Sequence, residues 1–152
     1  MEKKTLGILG GVVILVVVLL IVGGRQTNPV VVSDDGTEIP CLPNGHQQVA
    51  SHIHPVVSIT VDGEAEIIPG NVGIDGFCMR EIHTHDATGT LHIETAKPGV
   101  VYGLLDFFTV WGQDIDRAGY DLEIMQDGTL RNREDVIFTD HSSIELVYTS
   151  IE

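Results

Sequence analysis

An uninterrupted apolar stretch near the N-terminus limits what this chain can fold into. Twenty uncharged residues, TLGILGGVVILVVVLLIVGG, lie between Lys4 and Arg25, and about 20 such residues span a bilayer core of roughly 30 Å. A cleaved signal peptide has a shorter apolar region, about 7–15 residues, followed by a small-x-small cleavage site, which VGGRQTNP fits poorly. A pilin-type leader is a further alternative. We expect residues 1–25 to form an uncleaved membrane anchor.

The flanking charges predict the orientation of this anchor. Lys3 and Lys4 precede the apolar stretch, and basic residues favour the cytoplasmic side, although Arg25 on the other side weakens the bias. No cysteine directly follows the stretch, so a lipid anchor is not expected. The chain is predicted to cross the cell membrane once, with residues 26–40 as a linker and one domain, residues 41–152, outside the cytoplasm.

The charge of the chain excludes one large class of partner. The formal net charge is −14, and the part beyond the apolar stretch carries 21 of the 22 acidic residues and six of the eight basic ones, a net of −15. Such a field repels nucleic acids and anionic lipids and concentrates cations. Solubility, or a salty environment, also accounts for acidity of this kind. Nucleic-acid binding is therefore not expected.

The chain has two cysteines, Cys41 and Cys78. In an oxidising compartment a pair of cysteines favours a disulfide. This bond would tie the segment after the linker to a glycine-broken loop at residues 71–80. A metal–thiolate role for one or both cysteines is the alternative.

Turn signals and side-chain periodicity predict a mostly β domain. Asp62-Gly63 and Asp127-Gly128 each separate two strand-like segments, and this dipeptide suits a two-residue hairpin turn. The segment SIELVYT predicts a terminal strand. In VVYGLLDFFTVWGQDI, apolar residues recur every three or four positions, which is typical of an amphipathic helix, and Gly112 is its predicted end. The predicted fold class is α+β, mainly antiparallel β with one helix.

The histidines of the chain are concentrated in one region. Six of the seven fall between positions 46 and 92. Two pairs, His52 with His54 and His83 with His85, are each separated by two positions on strand-like segments. Residues at i and i+2 of a strand point to the same face. Each pair can therefore present two imidazoles from one side of a sheet.

The segment EIHTHDATGTLHIE predicts a hairpin whose loop length decides which side chains share a face. With an even number of loop residues, His83 lies opposite His92. Glu81 and Glu94 then oppose each other on the same face. With an odd number, Thr84 lies opposite His92 and the cluster is split. Both registers are compatible with the sequence.

Together these residues form a candidate metal site. Neutral imidazole is the commonest metal ligand and suits both zinc and copper. A nearby carboxylate, Asp86 or Glu94, would add a ligand or hold an imidazole in one tautomer. Cys78 and Met79 lie close by in the sequence, and softer ligands of this kind favour copper. The predicted ion is copper or zinc, and the predicted ligands are His52, His54, His83, His85, His92, Asp86 and Glu94.

Other interpretations of the histidines stay open. His46 is a candidate peripheral ligand, and His141 is predicted to lie in a turn. Clustered histidines in an acidic domain also suit a pH sensor. A third interpretation makes the domain a structural or interaction subunit of an envelope complex, with incidental histidines.

No established catalytic motif accompanies the cluster. The cupin motif begins with His-x-His but needs a glutamate shortly afterwards, whereas Glu94 follows His85 by nine positions. The His-Glu-x-x-His, Gly-x-Ser-x-Gly, Walker and dinucleotide motifs are absent. No residue is therefore assigned a catalytic role, and metal binding, delivery or storage is favoured over an enzyme. The enzymatic alternative is an open metal site that activates water, with Glu94 as the base.

Six segments carry a resemblance to a known group: His52–Pro55, Ile59–Gly63, Ile67–Pro69, Val72–Asp75, Ile82–Glu94 and Asp106–Gly112. They resemble a family of small, uncharacterised, membrane-anchored extracytoplasmic proteins of archaea and bacteria with an IHTHD…G…HIE hairpin and a DFF…WG helix. The resemblance covers residues 41–150. It implies an intact domain and no established activity. The last segment, DVIFTDHSSIELVY, resembles the final strand of β-grasp domains and implies a β-grasp-like fold.

Overall fold

The computed structural model describes residues 30–32, 36 and 38–151. The predicted anchor lies outside the described residues, and within them no helix is long and apolar enough to cross a membrane. One α-helix, α1 (Leu104–Trp111), and one 3₁₀ helix (Arg133–Asp135) are present in this part of the chain. The strands are β1 (Pro43–His46), β2 (Ser51–Ile53), β3 (Val56–Val61), β4 (Glu64–Glu66), β5 (Ile74–Asp75), β6 (Cys78–Met79), β7 (Ile82–His83), β8 (His92–Thr95), β9 (Tyr120–Gln126), β10 (Thr129–Leu130) and β11 (Ser143–Ser150).

The larger sheet has five strands in the order β10-β9-β11-β3-β4. Its central strand, β11, runs parallel to its neighbour β3, and the other neighbouring strands are antiparallel. The outer pairs are hairpins whose turns are Asp62-Gly63 and Asp127-Gly128. All four turn residues have positive φ, between 48° and 87°, as a two-residue turn matched to the strand twist requires. Both predicted hairpins and the terminal strand are confirmed.

Helix α1 is flanked by Gly103 at its N-terminal end and by Gly112 at its C-terminal end. The Asp106 carboxylate accepts a hydrogen bond from the Gly103 N–H (2.8 Å) at the N-terminal end. Gly112 ends the helix in the left-handed region at φ 71°, which glycine adopts at little cost. Phe107 and Phe108 are buried in the core. The helix contacts β7, so its packing helps to position the strand that carries His83.

The core of the larger sheet is formed by alternating residues of its central strands. Ile59, Leu146 and Tyr148 are at most 2 % exposed. At the margin of this core the Arg117 guanidinium lies over the Tyr148 ring, 4.1 Å from its centroid. It also donates two hydrogen bonds of 2.7 Å to the Glu66 carboxylate. These bonds hold the pKa of Glu66 below its ordinary value.

A second, antiparallel sheet of three strands, β2-β8-β7, carries most of the histidines. It is joined to the larger sheet where the Val57 N–H donates to the Gly89 carbonyl (2.9 Å). Gly89 has φ +81°, and a Cβ at this position would lie 2.2 Å from the Val57 carbonyl oxygen. Only glycine permits this close approach of two backbones.

The cysteines form a disulfide, Cys41–Cys78, with a Cα–Cα distance of 5.2 Å. This prediction is confirmed. The glycine-broken loop expected at residues 71–80 is instead a short hairpin, because Ile74 pairs with Met79 in strands of two residues each. In the described part of the chain the regular secondary structure is mostly strand, with one α-helix, as predicted.

Candidate metal centre

Strand register brings four predicted ligands to one face of the three-stranded sheet. His83 of β7 lies opposite His92 of β8, and His52 of β2 lies opposite Glu94 of β8. Because His92 and Glu94 are two positions apart on β8, all four side chains share a face. The even register of the hairpin is therefore confirmed, and the odd one is excluded.

Three further histidine rings join this face from adjoining segments. His54 follows β2, and its ring centroid is 4.4 Å from that of His52. His85 follows β7, and its ring centroid is 4.5 Å from that of His92. His46, at the end of β1, lies 5.1 Å from His85 by the same measure. Six imidazoles from three separate parts of the chain thus make one continuous cluster.

Ligand atoms within the cluster converge on three positions. At each position, one nitrogen or oxygen atom from every member lies within 4.8 Å of the others. The His83 triad contains His46, His83 and His85, and the His92 triad contains His52, His54 and His92. The inner group contains His83, His92 and Glu94.

His83 is the best-prepared ligand of the cluster. Its ring is fully buried, and this burial lowers the pKa of His83 to about 4. The ring is therefore neutral at physiological pH. Its Nδ1 donates to the Arg80 carbonyl oxygen (2.9 Å), which fixes the tautomer and leaves the Nε2 lone pair free. That Nε2 lies 3.3 Å from Nε2 of His85, a separation at which two nitrogens can both bind one ion at about 2.0–2.1 Å.

Glu94 places a carboxylate at the base of the cluster. Its side chain is fully buried. Its Oε1 accepts a hydrogen bond from His46 Nδ1 (2.6 Å) and lies 3.1 Å from His52 Nε2. Its Oε2 is the one buried side-chain polar atom without a hydrogen-bond partner in the described part of the chain. An unsatisfied buried carboxylate oxygen is costly. A bound cation would relieve that cost.

Asp86 lies outside the three groups. Its exposed carboxylate accepts hydrogen bonds from the Thr88 hydroxyl (2.6 Å) and the Thr88 N–H (3.0 Å), and these bonds lower the pKa of Asp86. Its observed contacts are those of a turn residue within the hairpin loop. Cys78 is committed to the disulfide, so the sequence argument that its thiolate favours copper does not apply.

His46 is more closely involved in the cluster than predicted, whereas His141 lies in a turn, as predicted. His46, expected to be peripheral, contributes to the His83 triad and contacts Glu94. No local signal in the sequence indicates this, because the contact depends on how β1 lies across the sheet. His141 lies in a turn at φ 60°, as predicted, and its ring centroid is 6.4 Å from that of His54. It is 80 % exposed and belongs to none of the three groups.

Asp140 connects this turn to the cluster. Its carboxylate accepts a hydrogen bond from the His54 N–H (2.9 Å) and lies 3.9 Å from the His54 ring nitrogen Nδ1. This backbone contact fixes the chain directly after β2. It therefore helps to orient the ring of His54 towards the other members of the His92 triad.

Comparisons of the chain with protein-family models, with curated proteins and with solved structures find no match.

Proposed function

We propose that this chain is a metal-binding protein that holds copper or zinc in its histidine cluster. The observation that carries the proposal is the convergence of imidazoles from four strands and two flanking segments around a buried, incompletely satisfied Glu94. Isolated surface histidines do not require a buried carboxylate beneath them. A cation site accounts for both features.

The ligand set favours borderline, nitrogen-binding ions. Histidine nitrogens with one carboxylate suit Cu²⁺ and Zn²⁺, and for a given site of this kind Cu²⁺ binds more tightly than Zn²⁺. His83 supports the proposal directly, since its neutral ring and carbonyl-held Nδ1 leave one lone pair ready to bind. The carbonyl of Arg80 thus has the orienting role that a second layer of residues has around bound metals.

We further propose that the site lies outside the cytoplasm and is held at the membrane by residues 1–25. The Cys41–Cys78 disulfide supports this placement, because disulfides persist in oxidising compartments. The role is then binding, delivery or storage of the ion at the cell surface. Membership of the small membrane-anchored extracytoplasmic family is part of the same proposal.

A β-grasp-like arrangement is the finer fold that we propose. The sheet order β10-β9-β11-β3-β4 places a first hairpin, a helix and a second hairpin around a parallel central pair. That order and pairing suit a β-grasp domain. In this proposal β5–β8, with the histidines of β7 and β8, are an insertion between the first hairpin and α1.

The test uses the full chain, extracted with detergent and purified without added metal. We expect elemental analysis to find copper or zinc in at least stoichiometric amount, and the melting temperature to rise when Cu²⁺ or Zn²⁺ is added to the stripped chain. The double variant His54→Ala/His85→Ala removes one ligand from each triad and should lose most of the uptake. His141→Ala is the matched control and should bind normally. Absence of metal, together with an unchanged melting temperature for both ions, would contradict the proposal.

A catalytic role for the same ion is the second candidate. Three protein ligands leave a coordination position open, and His46, His52 and His54 are between 36 % and 50 % exposed, so small molecules can reach the cluster. Azide added to the Cu²⁺-loaded chain should shift its visible absorption if a position is open. An unaltered spectrum would favour a closed binding site.

A further inference from the structure

The two outer groups of the cluster have no residue in common. The His83 triad and the His92 triad each offer three imidazole nitrogens within 4.8 Å of one another. The inner group overlaps both, because it takes one histidine from each triad and adds Glu94. Six histidines and one carboxylate are more ligands than one ion of ordinary coordination number uses.

Glu94 lies between the two triads. Its Oε1 is 2.6 Å from Nδ1 of His46, in the His83 triad, and 3.1 Å from Nε2 of His52, in the His92 triad. Its Oε2 is buried and unpartnered. One carboxylate therefore contacts both triads and has a second oxygen without a hydrogen-bond partner. A ligand that bridges two ions needs both properties.

The triads are also close enough for two ions to interact. His83 and His92 oppose each other across the β7–β8 pair. Their ring centroids are 5.4 Å apart and the rings are nearly parallel. The ring centroids of His85 and His92 are 4.5 Å apart. In two-metal centres the ions typically lie about 3.5–4 Å from each other, a separation that adjoining triads of this spacing can accommodate.

We propose that the cluster is a two-ion centre, in which each triad holds one divalent ion and the Glu94 carboxylate is shared between them. This inference rests on the proposed metal-binding function and adds its stoichiometry and internal arrangement. Imidazoles bind metal ions in their neutral form and supply no charge, so Glu94 is the only anionic side chain in the three groups. The strongly acidic domain around the centre offsets the remaining positive charge.

A single ion in the inner group is the competing arrangement, and substitutions separate the two. His85 belongs to the His83 triad alone and His54 to the His92 triad alone. Both lie outside the core, so replacing them leaves the packing in place. A two-ion centre loses one ion with either substitution. An ion bound in the inner group is unaffected by both and is lost with His83→Ala or His92→Ala.

The experiment titrates the stripped full chain with Cu²⁺, and in a second series with Zn²⁺, and counts bound ions by native mass spectrometry and elemental analysis. We expect two ions for the unaltered chain and for His141→Ala. We expect one ion for His85→Ala and one for His54→Ala, and none for the double variant. One ion in the unaltered chain that persists in both single variants would overturn the two-ion centre and keep the proposed function. No ion at all would overturn both.

Electron paramagnetic resonance of the Cu²⁺ form supplies an independent readout. Two neighbouring Cu²⁺ ions couple magnetically, so the fully loaded chain should lose or broaden its signal relative to the copper that it contains. His85→Ala and His54→Ala, each with one ion, should give full-intensity mononuclear spectra. A mononuclear signal of full intensity in the unaltered chain at saturation would overturn the shared arrangement.

Discussion

Replacing Glu94 with glutamine separates the role of its charge from the role of its shape. The amide keeps the volume of the side chain and one acceptor oxygen for His46 and His52, but it removes the negative charge from beneath the cluster. In the stripped chain the loss of charge-assisted hydrogen bonds is offset by the relief of a buried, incompletely paired carboxylate. We expect the free energy of unfolding of the metal-free variant to change by less than about 1 kcal/mol.

The metal-loaded chain should respond much more strongly. Losing a carboxylate that supports the ligands of a metal site weakens metal binding by about 10–100-fold. This loss corresponds to about 1.4–2.7 kcal/mol of binding free energy. A ligand that binds only the folded state stabilises it in proportion to the logarithm of its affinity. At roughly 2–4 °C per kcal/mol for a chain of this size, the metal-induced rise in melting temperature should shrink by roughly 3–11 °C.

Glu81→Gln is the matched control for this prediction. Glu81 is also a buried glutamate, but its carboxylate accepts hydrogen bonds from the Tyr102 hydroxyl (2.6 Å) and the Ala96 N–H (2.7 Å) and belongs to none of the three groups. We expect Glu81→Gln to destabilise the metal-free chain by about 1–3 kcal/mol and to leave its affinity for Cu²⁺ unchanged. Differential scanning fluorimetry with and without Cu²⁺ measures both variants. Equal metal affinity of Glu94→Gln and the unaltered chain would show that the Glu94 charge has no part in binding the ion.

Three further predictions concern the fold. The double variant Cys41→Ala/Cys78→Ala should lose about 2–4 kcal/mol of unfolding free energy in denaturant titrations, because the bond closes a loop with a sequence separation of 37. Gly89→Ala should cost at least about 1 kcal/mol more than Gly63→Ala, since both have positive φ but only the first has backbone within reach of a Cβ; equal losses would contradict this. Glu66→Gln should cost less than about 1 kcal/mol at pH 7. Because its arginine partner lowers the pKa of Glu66, this contribution is present above the ordinary pKa of 4.5 and is lost as the pH falls below it. The free energy of unfolding of the variant should therefore decrease less steeply than that of the unaltered chain as the pH falls below 4.5.

Local signals explain which parts of the fold were predictable. The Asp-Gly turns and the apolar period that ends at Gly112 depend on residues adjacent in sequence, and the structure has the corresponding hairpins and helix. The hairpin at residues 71–80 was missed because its strands have two residues each and Gly73 and Gly76, both at positive φ, break the alternation. A pattern of period two needs more residues than these strands have.

Tertiary contacts explain what was missed in the site. The histidine pairs were predictable because the strand period places i and i+2 on one face, but the hairpin register had to come from the structure. The sequence identified His46 only as a candidate peripheral ligand, because its contact with Glu94 spans 48 positions of sequence. The interpretation of Cys78 as a soft ligand was wrong because a cysteine in a disulfide has no thiolate to offer.

An anomalous-scattering map of the crystallised, Cu²⁺-loaded full chain shows whether the histidine cluster holds the ions. We expect anomalous density at the copper edge between the imidazoles of the His83 and His92 triads, within coordination distance of their nitrogens and of Glu94. Copper bound elsewhere on the chain, with the six rings unoccupied at full loading, would contradict it.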